Sequence, residues 1–244
     1  MMDRIVLDRK IDIGKEVLIK GPPLEALCFQ GGRVGSLITL TDSQGNDFRG
    51  RVTQLSEEKA SVLIFDAFPL PTESPVEIIL LQALPEKERM ELIIQKATEL
   101  GVSAIIPFKS ERSISLEERE ANQKKAHRWQ EIAVKAVQQS RRAKVPQVER
   151  YRLFNEALGI CKEDGLKIFL YEKRGENLKK VLKRYQNKKV YAMVGPEGGF
   201  TEEEVMQAKH QGFIPVKLGQ RILRTETAAI TLVGILQYEL GDLG

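Results

Sequence analysis

Two glycine-bearing segments carry the residue types best suited to hold a small ligand. The first is Val194-Gly195-Pro196-Glu197-Gly198-Gly199-Phe200. The second runs Leu218-Gly219-Gln220-Arg221-Ile222-Leu223-Arg224-Thr225-Glu226-Thr227-Ala228. Each follows an apolar run that reads as a strand and precedes a helical pattern. Both therefore lie at C-terminal strand ends, where open α/β sheets bind ligands. Glycine has no Cβ and tolerates positive φ, which lets a ligand approach bare backbone N–H and C=O groups. The second segment sets apolar side chains beside backbone polar groups at a helix start, a slot that suits a flat purine. Taken singly, either segment is no more than a turn and a capped helix; together they point to a binding site. Other chemistries lack their residues. There is no Gly-x-Gly-x-x-Gly after a strand and no Gly-x-x-x-x-Gly-Lys-Ser/Thr, so neither nucleotide motif has support. His127 and His210 are the two histidines and have no partners at ligand spacing. That argues against a metal site or a Ser-His-Asp triad, and no metal is expected.

The elements that must position these segments follow from pattern. Up to residue 70 the chain reads as short strands, at Val17–Ile19, Ser36–Leu40, Phe48–Val52 and Ala60–Phe65. Turns separate them at Gly21-Pro22-Pro23, Gly31-Gly32 and Asp42–Asn46, which suggests a small barrel or sandwich. Three prolines between Pro69 and Pro75 mark a boundary, giving domains 1–72 and 73–244. Beyond it strands and helices alternate. The spacing predicts a strand at Val76–Leu84, a helix over Lys87–Leu100, a strand at Val102–Phe108 and a long helix over Arg119–Ser140. Then come a short helix at Asn155–Cys161, a strand at Leu166–Tyr171, a helix at Asn177–Tyr185 and strands at Val190–Val194 and Ile214–Leu218. Thr201 and Glu204 form a capping box, and Thr225 is placed to cap a last helix to about Leu240. This alternation predicts an α/β domain with a mainly parallel sheet.

Composition excludes several classes. The 244 residues are 42% hydrophobic and 30% charged, with a formal charge of +4, which is a globular balance. No apolar run approaches a membrane span, and no secretory leader is visible. Two distant cysteines fit a cytoplasmic setting. The charge is uneven. Residues 1–72 carry 9 basic and 10 acidic side chains, whereas 119–144 carry eight basic ones against Glu120 and Glu131. By itself that run reads as a solvated helix face, although a phosphate-binding stripe has the same composition.

The two glycine segments closely resemble the RsmE family, methyltransferases of the SPOUT superfamily that methylate uridine N3 in small-subunit (16S) ribosomal RNA. The resemblance extends through Gln95–Val102, Ser110-Glu111-Arg112-Ser113, Trp129, Ala136–Ser140 with Arg142, Pro146, and the terminal Gly241–Gly244. It implies a parallel sheet with a C-terminal trefoil knot, a cytoplasmic homodimer, and S-adenosyl-L-methionine as cofactor. By motif position the cofactor is lined by Gly195, Glu197, Gly198 and Gly199, then by Leu218, Gly219, Ile222, Leu223, Thr227 and Ala228, with Leu170, Tyr171 and Glu172 as a third edge. Glycines there keep Cβ atoms off the adenosine, so Gly198→Val is expected to abolish cofactor binding. Residues 1–72 resemble the family's PUA-like, RNA-binding β-barrel more weakly. The family's His-Leu-x-x-Val-Leu-Arg-like stretch is replaced by Leu24–Arg33, which lacks the His. The implied substrate is 16S ribosomal RNA, free or in the small subunit. The rival readings are a SPOUT methyltransferase for another RNA site and a non-catalytic ribosome assembly factor.

Uridine N3 must lose a proton, which calls for a base or for a cation that stabilises the uridinate. Glu197 and Glu226 are the candidate bases; Arg224 and Arg112 are the candidate cations, and Arg-assisted deprotonation is preferred. With RNA as partner, Arg112, Gln139 and Arg142 are expected to touch it, while Lys124 and Lys125 stay with the solvated face. Trp129, amid Ile132, Ala133 and Ala136 at helical spacing, reads as a core or dimer anchor.

Overall fold

The computed structural model describes residues 5–68, 73–113, 126–140, 142, 144–185 and 188–244. The expected helical turns at 119–125, with Lys124 and Lys125, lie outside them, as do Pro69–Thr72. The chain divides into two compact units, Met1–Thr72 and Glu73–Gly244.

The first unit is a five-stranded sheet of β1 (Ile5–Val6), β2 (Glu16–Ile19), β3 (Leu37–Thr41), β4 (Asp47–Leu55) and β5 (Ala60–Ala67), in the order β1-β3-β4-β5-β2. All pairs are antiparallel except β1 with β3. Asp42 closes the β3–β4 turn, its Oδ1 accepting the N–H groups of Gln44 and Asn46 at 2.9 Å each. Two register shifts, at Arg49/Gly50 and Val52/Gln54, curl β4 against β5. Alternate residues such as Val17, Ile19, Ile38, Leu40, Val62 and Ile64 fill its core. One element departs from the strand-only reading: Pro22–Phe29 is a helix, α1. The two prolines read as a turn, yet they occupy the first helical positions, where a missing N–H costs nothing.

The second unit carries β6 (Glu77–Ala83), α2 (Lys87–Glu99), β7 (Ala104–Lys109), α3 (Ala126–Ser140), β8 (Gln147–Val148), β9 (Arg152–Leu153) and α4 (Phe154–Ile160). It continues with β10 (Leu166–Leu170), β11 (Glu176–Asn177), α5 (Leu178–Leu182), β12 (Lys189–Val194), α6 (Glu202–His210), β13 (Ile214–Lys217) and α7 (Thr225–Leu240). The strand order is β11-β13-β10-β12-β6-β7-β8, with β9 also on β7, and every pair is parallel. The expected α/β class and parallel sheet are therefore present. Side chains alternate along β6: Ile78 and Leu80 join one core with α2, α3, α5 and α7, while Ile79, Leu81 and Ala83 join a second with α4 and α6. Helices on both faces explain why β6 is apolar almost throughout. Trp129 is 4% exposed in the first core, so it is a core anchor. Among the described residues no helix is long and apolar enough to cross a membrane.

Candidate active site

The site lies at the C-terminal ends of β10 and β12. A cavity of about 370 Å³ is lined by Leu170 and Glu172 after β10, Val194–Glu197, Gly199 and Phe200 after β12, Ile222–Thr225 and Ala228 at the start of α7, and Arg89 on α2. Its apolar wall comes from Leu170, Val194, Leu223 and Ala228, and Ile222 stands 87% exposed.

Local chemistry explains how the two segments hold their shape. Gly199 has φ +68° and Gly219 φ +147°, conformations that L side chains rarely adopt. Phe200 anchors the first segment, stacking on Phe108 with ring centroids 6.4 Å apart and meeting Phe169 edge-on at 5.9 Å. The predicted capping box is present: Thr201 Oγ1 accepts the Glu204 N–H at 3.2 Å, and Glu204 Oε2 accepts the Thr201 N–H at 3.0 Å. The buried Glu204 carboxylate also accepts from Ser110 Oγ and the Glu111 N–H, which ties the segment after β7 to the glycine segment. Arg112 completes that lacing by donating from Nη1 to the Gly198 carbonyl at 2.8 Å.

At the start of α7 the structure corrects one expectation. The N-cap position is Arg224, without a side-chain cap bond, and Thr225 is the first helical residue. The Thr225 hydroxyl donates to the Gly195 carbonyl at 2.7 Å and accepts from Gln82 Nε2 at 3.1 Å. Gln82 is fully buried at the end of β6 and also donates to the Ala83 carbonyl. This chain of polar contacts joins the two glycine segments to the sheet.

The charges at the site form one network. Arg89 Nη1 donates to Glu197 Oε1 at 2.8 Å, Nη2 lies 3.4 Å from Glu86, and Nε lies 3.8 Å from Glu226 Oε2. Glu197 Oε1 accepts the Glu86 N–H as well. The hydrogen bond from Arg89 to Glu197, aided by the other carboxylates, raises the Arg89 pKa further above its already high value. Arg224 lines the cavity from an exposed position, with no ion pair among the described residues.

The sequence-predicted residues divide by place. Leu170, Glu172, Gly195, Glu197, Gly199, Ile222, Leu223, Arg224 and Ala228 come together at the cavity. Leu218 packs on the core, and Gly219 and Thr227 are exposed outside the lining. Tyr171 is 4% exposed and donates its hydroxyl to Glu202 at 3.0 Å; burial, reinforced by that carboxylate, pushes its pKa up. Gly198 also lies off the cavity, and a Cβ there would meet the Arg112 side chain at 3.1 Å. The reason given for Gly198→Val therefore changes: its first effect falls on Arg112. Arg142, expected at the RNA surface, is turned inward. It is 7% exposed, with Nη1 donating to the Thr98 and Val102 carbonyls and Nη2 paired to Glu73 at 2.7 Å. Gln139 is exposed on α3 and Arg112 is exposed beside the cavity. Arg89 and Gln82 escaped the sequence reading: each sits in an element that reads as structural, and only strand order brings them to the site. Among the described residues no group of three or more His, Cys, Asp or Glu could hold a metal.

Comparison with known proteins places this geometry. Residues 72–237 match the family described as the RNA methyltransferase domain. The ribosomal RNA small subunit methyltransferase E of Bacillus subtilis is 32% identical over 212 residues, which is 84% of this chain and 82% of that protein. Its counterpart in Mycobacterium bovis is 29% identical over 93% of this chain and 88% of its own. The crystal structure of the Neisseria gonorrhoeae ribosomal RNA small subunit methyltransferase E, bound to S-adenosyl methionine, superposes over 100% of both chains with a TM-score of 0.74 and 36% identity.

Proposed function

Because the chain belongs to the RNA methyltransferase family, and within it to the ribosomal RNA small subunit methyltransferase E group, we propose that it methylates uridine N3 of 16S ribosomal RNA. The methyl donor is S-adenosyl-L-methionine. The observation that carries the reading is the cavity of about 370 Å³ between two glycine segments that leave β12 and β13, the strands on either side of β10. Its apolar slot suits an adenine and the Glu172 carboxylate can accept from ribose hydroxyls, so the donor set fits the group. Bound there, S-adenosylmethionine supplies a methyl group already activated on a sulfonium, and the protein's task is chiefly positioning.

The chain's own residues must then handle the N3 proton. Glu197 Oε1 already accepts from Arg89 Nη1 and from the Glu86 N–H, which ties this carboxylate to the start of α2. Arg89 faces three carboxylates and Arg112 braces Gly198, whereas Arg224 lines the cavity with no ion pair among the described residues. Arg224 is the cation available to favour the uridinate, and the proton leaves to solvent.

The finer architecture belongs to the same reading. Residues 1–72 serve as a PUA-like barrel that contacts RNA, and 73–244 as the catalytic domain of a cytoplasmic homodimer acting on 16S RNA, free or in the small ribosomal subunit. A trefoil knot is supported by β13 lying between β10 and β11, which Tyr171–Gly175 join. A Gly175 Cβ would sit 2.6 Å from the Val216 backbone, so that link crosses close over β13 where the chain leaves for α7. The test is to incubate the protein with S-adenosylmethionine and small-subunit RNA, both free and within small ribosomal subunits, and to analyse the nucleosides by mass spectrometry. 3-Methyluridine at one site is expected; a methylated ribose or other base, or no product, would overturn the reading.

A further inference from the structure

We propose that Arg89 is a positioning residue that sets the cofactor cavity by joining three separate elements through one guanidinium. The proposal rests on the reading of that cavity as the S-adenosylmethionine site. Arg89 projects from the first turn of α2 and reaches Glu197 in the first glycine segment at 2.8 Å. From its Nε it faces Glu226 in the first turn of α7 at 3.8 Å. Glu86, at the start of α2, lies 3.4 Å from Nη2. The three carboxylates crowd a small volume, and like charges that close repel. Glu226 is the telling member. Its side chain is 14% exposed, and its Oε2 is buried without a hydrogen bond. A carboxylate oxygen taken from water in that way needs a cation beside it, and Arg89 is the one the structure supplies.

The arrangement also explains why the second glycine segment stays near the first. Thr225 links them on the sheet side through the Gly195 carbonyl, and Arg89 links them on the α2 side through Glu197 and Glu226. Removing the guanidinium leaves Glu197 with only the Glu86 N–H and Glu226 uncompensated, so the two walls of the cavity stay tied through Thr225 alone and loosen on the α2 side. A lysine at this position keeps the charge but lacks the fork, so it satisfies Glu197 and leaves Glu226 with a weaker contact.

The test uses the full-length protein and three variants, Arg89→Met, Arg89→Lys and Glu197→Gln, with cofactor affinity from calorimetry, thermal melting, and kcat and KM for S-adenosylmethionine. Arg89→Met is expected to weaken cofactor binding about 10- to 100-fold, raising KM for the cofactor more than it lowers kcat. Arg89→Lys is expected to recover most of that loss. Adding Arg89→Met to Glu197→Gln is expected to cost less than it does in the wild type, because the pair is already broken. Wild-type affinity in Arg89→Met overturns the proposal, as does a lowered melting temperature with unchanged cofactor KM. Failure of the wild-type protein to bind S-adenosylmethionine would instead overturn the functional reading on which the proposal stands.

Discussion

In the proposed reaction, Arg224 is the residue on which the chemistry turns. Uridine N3 is a poor nucleophile until its proton leaves, and a guanidinium beside the imide favours the anion. Replacing Arg224 by Ala removes that charge, so the imide ionises at higher pH. The rise of rate with pH should then move upward, with kcat near neutrality falling about 100-fold. Glu197→Gln should leave the shape of the pH profile intact, because in the proposed mechanism Glu197 is tied to Arg89 and is not the base. An unshifted profile in Arg224→Ala, or a shifted one in Glu197→Gln, would reverse these roles. The same reasoning separates residues that share a motif. Gly199 needs its positive φ, whereas Gly198 is pressed against Arg112, so adjacent glycines serve different ends.

At the scale of elements, the start of α7 shows how a sequence signal can be right about place and wrong about role. Threonine before an apolar helix reads as a cap, and the helix does begin there. The hydroxyl instead joins Gln82 of β6 to Gly195 after β12, and no local pattern foretells a partner 143 residues away. Thr225→Val keeps the shape and removes the hydroxyl, leaving the Gly195 carbonyl and one Gln82 N–H without this partner. Denaturant unfolding should show a loss of about 1–3 kcal/mol, recovered in Thr225→Ser. An unchanged midpoint in Thr225→Val would contradict this account. Elements were legible where burial imposes a period. Met90, Ile93, Ile94 and Ala97 recur at helical spacing, and all four are fully buried on α2. The two-residue strands β8, β9 and β11 have no period to read, and they form because a neighbouring strand offers its edge. Arg142 misled for a related reason. A basic residue after a basic helix resembles an RNA contact, yet its Nη1 donates to the Thr98 carbonyl in the last turn of α2 and to the Val102 carbonyl ahead of β7.

At the scale of the whole chain, the proposed function assigns cofactor binding to the second unit and a share of RNA capture to the first. The core of the first unit is made from residues 5–64, and both cores of the second from residues 76–236. Every residue lining the cofactor cavity also belongs to the second unit. The charge divides the same way, since residues 1–72 carry a net −1 and the remainder +5. A fragment comprising 73–244 should therefore fold and bind S-adenosylmethionine about as tightly as the full chain. Its RNA affinity should fall as the first unit's shape-dependent contacts disappear, but the slope of that affinity against salt should persist, because phosphate contacts set the slope. Calorimetry with the cofactor and RNA binding at several salt concentrations would check both halves. A fragment that folds without binding cofactor would mean that the first unit helps to build the site. A flattened salt slope would place the phosphate contacts in the near-neutral unit, against its charge.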